Sequence, residues 1–126
     1  MISYVIPTLW YSKNIHFTIS QFLEIKDSKA ELIIIDNNNE NYFCNDPRVT
    51  VISMKENIYV NPSWNLGVKA AKNSKVCLLN DDIYFDLKRF HNFAINSRIN
   101  EIASTVTNFR LERHPETKWA IKEIKN

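Results

Sequence analysis

The sequence predicts an α/β domain with a mostly parallel sheet and helices packed on its faces. Leu32-Ile33-Ile34-Ile35 and Val76-Cys77-Leu78-Leu79 are apolar runs without polar alternation, as expected of strands covered on both sides. Segments with helical spacing separate successive runs, which implies right-handed crossovers and therefore parallel strands.

The first strand is Ile2 to Ile6, ending at Pro7, which has no N–H for a ladder and holds its predecessor extended. Ile15, Ile19, Phe22 and Leu23 then recur at helical intervals, an amphipathic helix capped by Ser12 or Asn14. Leu32 to Ile35 is the second strand, closed by the polar turn Asp36-Asn37-Asn38-Asn39. A turn at Asn45-Asp46-Pro47 leads into a short third strand, Val49 to Ile52. After a long polar loop, Asn61-Pro62 opens a helix. Asn61 caps the free amides, Pro62 takes the first helical position, and Trp64, Val68 and Ala71 mark the buried stripe. Val76 to Leu79 is the fourth strand, stopping at Asn80-Asp81-Asp82. Asp86 caps a further helix running to about Arg98 and carrying Leu87, Phe90, Phe93 and Ala94. Ile102 to Phe109 alternates weakly as a strand, and Arg110 to Asn126 is polar. With no repeat and no linker, residues 1–126 read as a single domain.

Composition narrows the function classes. At 126 residues, 44% hydrophobic and 24% charged, the chain is neither a disordered tail nor a membrane protein. Sixteen Lys and Arg against 14 Asp and Glu leave a net charge of +2, too little for a protein whose affinity rests on neutralising many phosphates. Cys44 and Cys77 are too far apart for a metal knuckle and too few for a disulfide framework. With no bilayer-length apolar run, and with Met1 leading straight into the first strand, the expected location is the cytoplasm. His16, His91 and His114 have no metal-ligand spacing and read as surface or partly buried side chains, and Cys77 reads as a small core residue. Trp10, Trp64 and Trp119 read as packing residues, although Trp10 also lies where it could stack on a base or sugar. The one glycine, Gly67, leaves nearly all tight turns to Asn, Asp, Ser and Pro. Sixteen Asn and 11 Lys suggest an AT-rich coding bias of the kind found in some phages and bacteria.

In an open parallel sheet the ligand crevice lies at the carboxyl ends of the strands. Here those ends read Pro7-Thr8, Asp36-Asn37 and Asn80-Asp81-Asp82, which would line one edge. Carboxylates there can accept hydrogen bonds from ribose hydroxyls or a base N–H and can hold a hard divalent cation against phosphate oxygens, so a nucleotide diphosphate suits the inventory. Asn80-Asp81-Asp82 also reads as an ordinary turn that ends a strand, and Asn37-Asn38-Asn39 as turn chemistry. Asn57 and Asn65 divide evenly between a structural and a ligand-contacting role.

Val5-Ile6-Pro7-Thr8, Ile33-Ile34-Ile35-Asp36-Asn37, Glu56-Asn57, Asn65-Leu66-Gly67 and Leu78-Leu79-Asn80-Asp81-Asp82 together resemble, in order and spacing, the successive motifs of family 2 glycosyltransferases. The resemblance covers roughly residues 2 to 109. It implies a Rossmann-like, A-type glycosyltransferase fold and transfer of a sugar from a nucleotide diphosphate sugar, usually with inversion and with Mn2+ or Mg2+. Carried over by position, Pro7, Thr8, Asp36 and Asn37 would line the donor's base, commonly uracil, with Asp36 accepting the base N–H. Asn57 and Asn65 would lie near the donor, Asp81 would face the ribose or sugar, and Asp82 would bind the metal at the diphosphate. Asn80 stands where the family has the first carboxylate of its Asp-x-Asp motif, an amide oxygen still being a hard ligand. Trp64 stands where many members have arginine, removing one cationic contact to the donor.

The resemblance stops short of the family's acceptor-binding segment and catalytic base. Glu112 and His114 lie in the corresponding part of the chain only by order. The expected function is metal-dependent transfer from a uridine diphosphate sugar to an unidentified acceptor. The alternative is a non-catalytic nucleotide-sugar-binding module of the same fold, a donor-binding half. A nucleotidyltransferase ranks below both, because the loop from Pro7 to Asn14 has no glycine and one Lys with which to hold a triphosphate.

Overall fold

A computed structural model of the chain describes residues 1–96. Arg98, the strand expected from Ile102 to Phe109, the polar tail from Arg110, and Glu112, His114 and Trp119 lie outside the described residues. Met1–Ile95 forms one packed unit. The elements in order are β1 (Ile2–Thr8), α1 (Asn14–Leu23), β2 (Glu31–Asp36), β3 (Val49–Ser53), α2 (Val60–Ala70), β4 (Lys75–Leu78) and α3 (Leu87–Asn96). Every strand pair is parallel, in the sheet order β3-β2-β1-β4.

Alternation along the two central strands builds a layer on each face. Ile2, Tyr4 and Ile6 of β1 join Leu32 and Ile34 of β2 beneath Ile15, Ile19 and Phe22 of α1 and Leu87 and Ala94 of α3. Val5, Ile33 and Ile35 turn the other way, against Trp64, Leu66 and Ala71. Both central strands are buried along their whole length, which is why their runs lack polar alternation. β4 is an edge strand among the described residues and is only half-buried, with Leu78 exposed, so its continuous apolar run does not mark cover on both faces.

β1 runs two residues further than expected, through Pro7. The Thr8 carbonyl accepts the Asn37 amide at 2.9 Å, so Thr8 turns its backbone toward β2 and Pro7, one residue earlier, faces the β4 side. Pairing with β4 has already ended at Val5 and Leu78, so the missing N–H of Pro7 breaks no ladder bond.

The helices depart from expectation at their starts. In α1 the Ser12 hydroxyl does accept the Asn14 amide at 3.2 Å, while the Asn14 side chain reaches across to another loop; Leu23 is exposed. α2 starts at Val60 rather than after Asn61, with Tyr59 in the cap position at φ 67° and ψ −179°. That region belongs almost entirely to glycine and costs about 1–3 kcal/mol for other residues. Pro62 therefore sits third in the helix, still within the first turn where a missing N–H is harmless. The buried face of α2 is Ser63 and Gly67, whereas Val68 is 46% exposed, so the expected Trp64-Val68-Ala71 stripe is off by a fraction of a turn.

Gly67 serves close packing rather than a turn: a methyl built there would run into Val5 Cγ1 and stand 2.9 Å from Val5 Cγ2. Asparagine takes the left-handed turn positions at Asn39 and Asn41 (φ 49° and 55°).

α3 is capped as expected, the Asp86 carboxylate accepting the Arg89 amide at 3.0 Å. Contrary to expectation, His91 is fully buried. Its Nδ1 meets the Tyr4 hydroxyl at 2.7 Å and its Nε2 meets Asp27 Oδ2 at 3.0 Å, a polar thread joining α3, β1 and the loop before β2.

Candidate functional site

The strand ends converge as the parallel register requires, with Thr8 opposite Asp36 and Asp36 opposite Ser53. The Thr8 hydroxyl donates to Asp81 Oδ2 at 2.8 Å and accepts the Trp10 amide at 2.8 Å. The Trp10 indole N–H in turn donates to Asp36 Oδ1 at 2.9 Å. The ends of β4, β1 and β2 are thus joined in one bonded chain. Trp10 makes it possible by taking a left-handed backbone (φ 68°), which aims its amide and its indole at two different strands. Its ring packs on Tyr42, centroids 4.7 Å apart, so it is held by packing and by hydrogen bonds together.

The expected site residues separate into two layers. Pro7, Thr8, Asp36 and Asn37 are buried beneath the edge. Asp36 is wholly enclosed, and its four lone-pair positions are taken. Oδ1 accepts the Trp10 indole and the Asn38 amide at 3.0 Å; Oδ2 accepts the Glu40 amide at 2.9 Å and the Ser53 hydroxyl at 3.4 Å. Asn37 is also spent on structure: Nδ2 donates to Ser63 Oγ at 2.9 Å and Oδ1 accepts the Ile58 amide at 3.1 Å. This inner layer fixes the loops, as a fully partnered set of buried polar groups should.

The outer layer is open to solvent. Asn57, half-buried, accepts the Tyr59 amide at 2.8 Å in an Asx turn. Asn65 is exposed on α2, its side chain hydrogen-bonded to no described residue. Asn80 and Asp82 are exposed, Asp81 is half-buried, and the Asp82 carbonyl accepts the Asn14 side chain at 2.9 Å. Trp64, in the place where a cation was expected, donates its indole N–H to the Leu79 carbonyl at 3.2 Å and so ties α2 to the segment that carries Asn80. Thr8 bonds Asp81 directly and reaches Asp36 through Trp10, while Asp82, next to Asp81 in the chain, is tied by its carbonyl to Asn14 at the start of α1. Asn65 has no such link to the others.

No group of three His, Cys, Asp or Glu side chains converges among the described residues. Hard oxygen donors do remain on one turn: Asn80, the free Oδ1 of Asp81 and the Asp82 carboxylate. That set suits a cation that keeps its waters and binds through one or two carboxylates plus phosphate oxygens. Burial pushes the thiol of Cys77, on β4, up to about 12, away from the thiolate.

Two contributors escaped sequence reasoning. Trp10 was legible as an aromatic near the edge, but its bridging role depends on a backbone conformation that no local signal announces. Ser63, which links Asn37 to the Tyr59 carbonyl, carried no signal at all. A depression of about 350 Å3 lined by Ile25, Lys26, Ser28, Asp46, Pro47 and Arg48 lies at the other edge, by the amino ends of β2 and β3. Arg48 is committed there to Asp46 and to backbone carbonyls.

The family model for glycosyl transferase family 2 matches residues 3–94, a span that contains every expected donor-binding and metal-binding residue but not Glu112 or His114. No curated protein matches the chain.

Proposed function

Because the chain belongs to glycosyl transferase family 2, we propose that it transfers a sugar from a nucleotide diphosphate sugar, uridine diphosphate favoured, to an acceptor hydroxyl with inversion, using Mn2+ or Mg2+. The observation that carries this reading is the bonded chain from Asp81 through Thr8 and Trp10 to Asp36, which gathers three strand ends at one edge. Pro7, Thr8 and Asn37 shape the floor beneath the donor. Asp36, enclosed and with every acceptor position filled, holds Trp10 and the Asn38–Glu40 turn beneath the base, and would meet the base N–H only by giving up one of those partners. Asn57, Asn65 and Asp81 offer acceptors and donors to ribose and sugar hydroxyls.

Asp82 and Asn80 would hold the divalent cation, which when bound supplies positive charge against the diphosphate oxygens. In the transfer, the acceptor oxygen bonds to the anomeric carbon as the carbon–oxygen bond to the diphosphate breaks. The bonding pair leaves on the nucleoside diphosphate, and the acceptor proton passes to a base. Glu112 and His114, the candidates by order in the chain, lie outside the described residues.

The test is release of uridine diphosphate from UDP-glucose by the purified chain, with and without manganese, repeated on Asp82→Ala. The reading expects manganese-dependent release that the substitution abolishes. Binding without release supports a donor-binding module instead, and absence of both binding and release refutes the proposal.

A further inference from the structure

Tyr59 is strained with nothing in its own side chain to account for it. Its φ of 67° and ψ of −179° fall where a Cβ is disfavoured, yet its phenol is 71% exposed and makes no hydrogen bond or ring contact with any described residue. Trp10, the other large residue near the edge with positive φ, is different: its indole holds Asp36 and packs on Tyr42. The Tyr59 peptide is clamped on both sides. Asn57 accepts its N–H, its carbonyl accepts the Ser63 amide at 3.2 Å, and Asn37 fixes both Ser63 and the Ile58 amide. Glycine would satisfy every one of these bonds without strain. The clamp is anchored on Asn37, at the end of β2, so the Tyr59 backbone stands at the carboxyl edge, bonded to Asn57.

Resting on the nucleotide-sugar reading above, we propose that Tyr59 is a specificity-determining residue that stacks on a ring of the bound donor, its base or its sugar. The clamp holds the peptide so that the phenol stays out of the core and offers a face to the ligand. A phenol suits this task because its π-face packs against a planar base or against the apolar C–H face of a pyranose.

The experiment uses the full chain, with Tyr59→Gly and Tyr59→Phe as variants. Melting is measured without ligand, and affinity is measured for uridine diphosphate and for UDP-glucose, both with manganese. Tyr59→Gly is expected to melt no lower than the native chain, because relief of strain offsets the looser unfolded chain. It is also expected to bind about tenfold more weakly or worse, while Tyr59→Phe binds like the native chain. Weakening toward both probes assigns the base, and weakening toward UDP-glucose alone assigns the sugar. Unchanged affinity in Tyr59→Gly overturns the assignment, as does a melting point several degrees lower, which would make the phenol a packing group. A native chain that binds neither probe overturns the nucleotide-sugar reading, and this proposal with it.

Discussion

Asp36 shows how much of a site can be visible in a sequence and how much cannot. Its place at the end of β2 follows from the apolar run before it, and the edge it occupies follows from parallel pairing. Its four partners do not follow, because two of them depend on Trp10, from the loop after β1, and Ser53, from β3. The enclosed carboxylate makes a prediction at this scale. Asp36→Asn would turn an amide N–H2 toward N–H groups that the carboxylate now accepts, with only the Ser53 hydroxyl able to reverse its role, leaving a buried donor unsatisfied at a cost of about 2 kcal/mol. Urea unfolding should show that loss as a lower midpoint with an unchanged slope. Asp82→Asn, on the exposed outer layer, should stay within about 0.5 kcal/mol of the native chain. Equal stability of both variants would mean that Asp36 is not held as described.

Strands and helices were largely legible because burial imposes periodicity, whereas helix starts depend on contacts between elements. Leu32 to Ile35 reads as a strand because both faces of β2 are covered; the Asp86 cap reads correctly because its bond is local. The Asn61-Pro62 start of α2 misreads because the clamp from Asn37 through Ser63 to Tyr59 draws the helix back to Val60.

The seating of α2 on β1 depends on Gly67. In Gly67→Ala the gain in helix propensity, about 1 kcal/mol, is outweighed by overlap with Val5, a buried β-branched side chain that cannot rotate aside. A net loss of about 2 kcal/mol in chemical denaturation is expected. A variant of native stability would show that α2 can lift away.

α3 is tied to the sheet by Tyr4, His91 and Asp27, and this gives the element a dependence on acid. Partial burial pushes the Asp27 carboxyl up, but the Lys29 amide and then the His91 ring outweigh it, and the net displacement is downward. A depressed carboxyl stabilises the fold fully above its unfolded value, about 3.9, and loses that contribution as pH falls through the folded value. Native stability should therefore drop below about pH 4, and Asp27→Asn should show a shallower drop over that window. Identical acid profiles for the two proteins would remove Asp27 from the linkage.

At the scale of the whole molecule, the two edges of the sheet do different work. The amino edge has a hollow, but its cation is bound to Asp46 and to backbone carbonyls and stacks on Phe22, so it closes the fold rather than opening it to a ligand. The carboxyl edge has a buried, fully bonded inner layer and an exposed outer layer of amides and carboxylates, the arrangement a polar, phosphate-bearing ligand needs. The bonded convergence of three strand ends lies at this edge, where the proposed donor would sit. The most direct test is a thermal-shift panel of nucleoside diphosphates, with and without manganese, on the native chain and on Asp82→Ala. Stabilisation by uridine diphosphate that needs the metal and vanishes in the variant is the expected result, and no shift with any nucleotide would contradict the placement of the site.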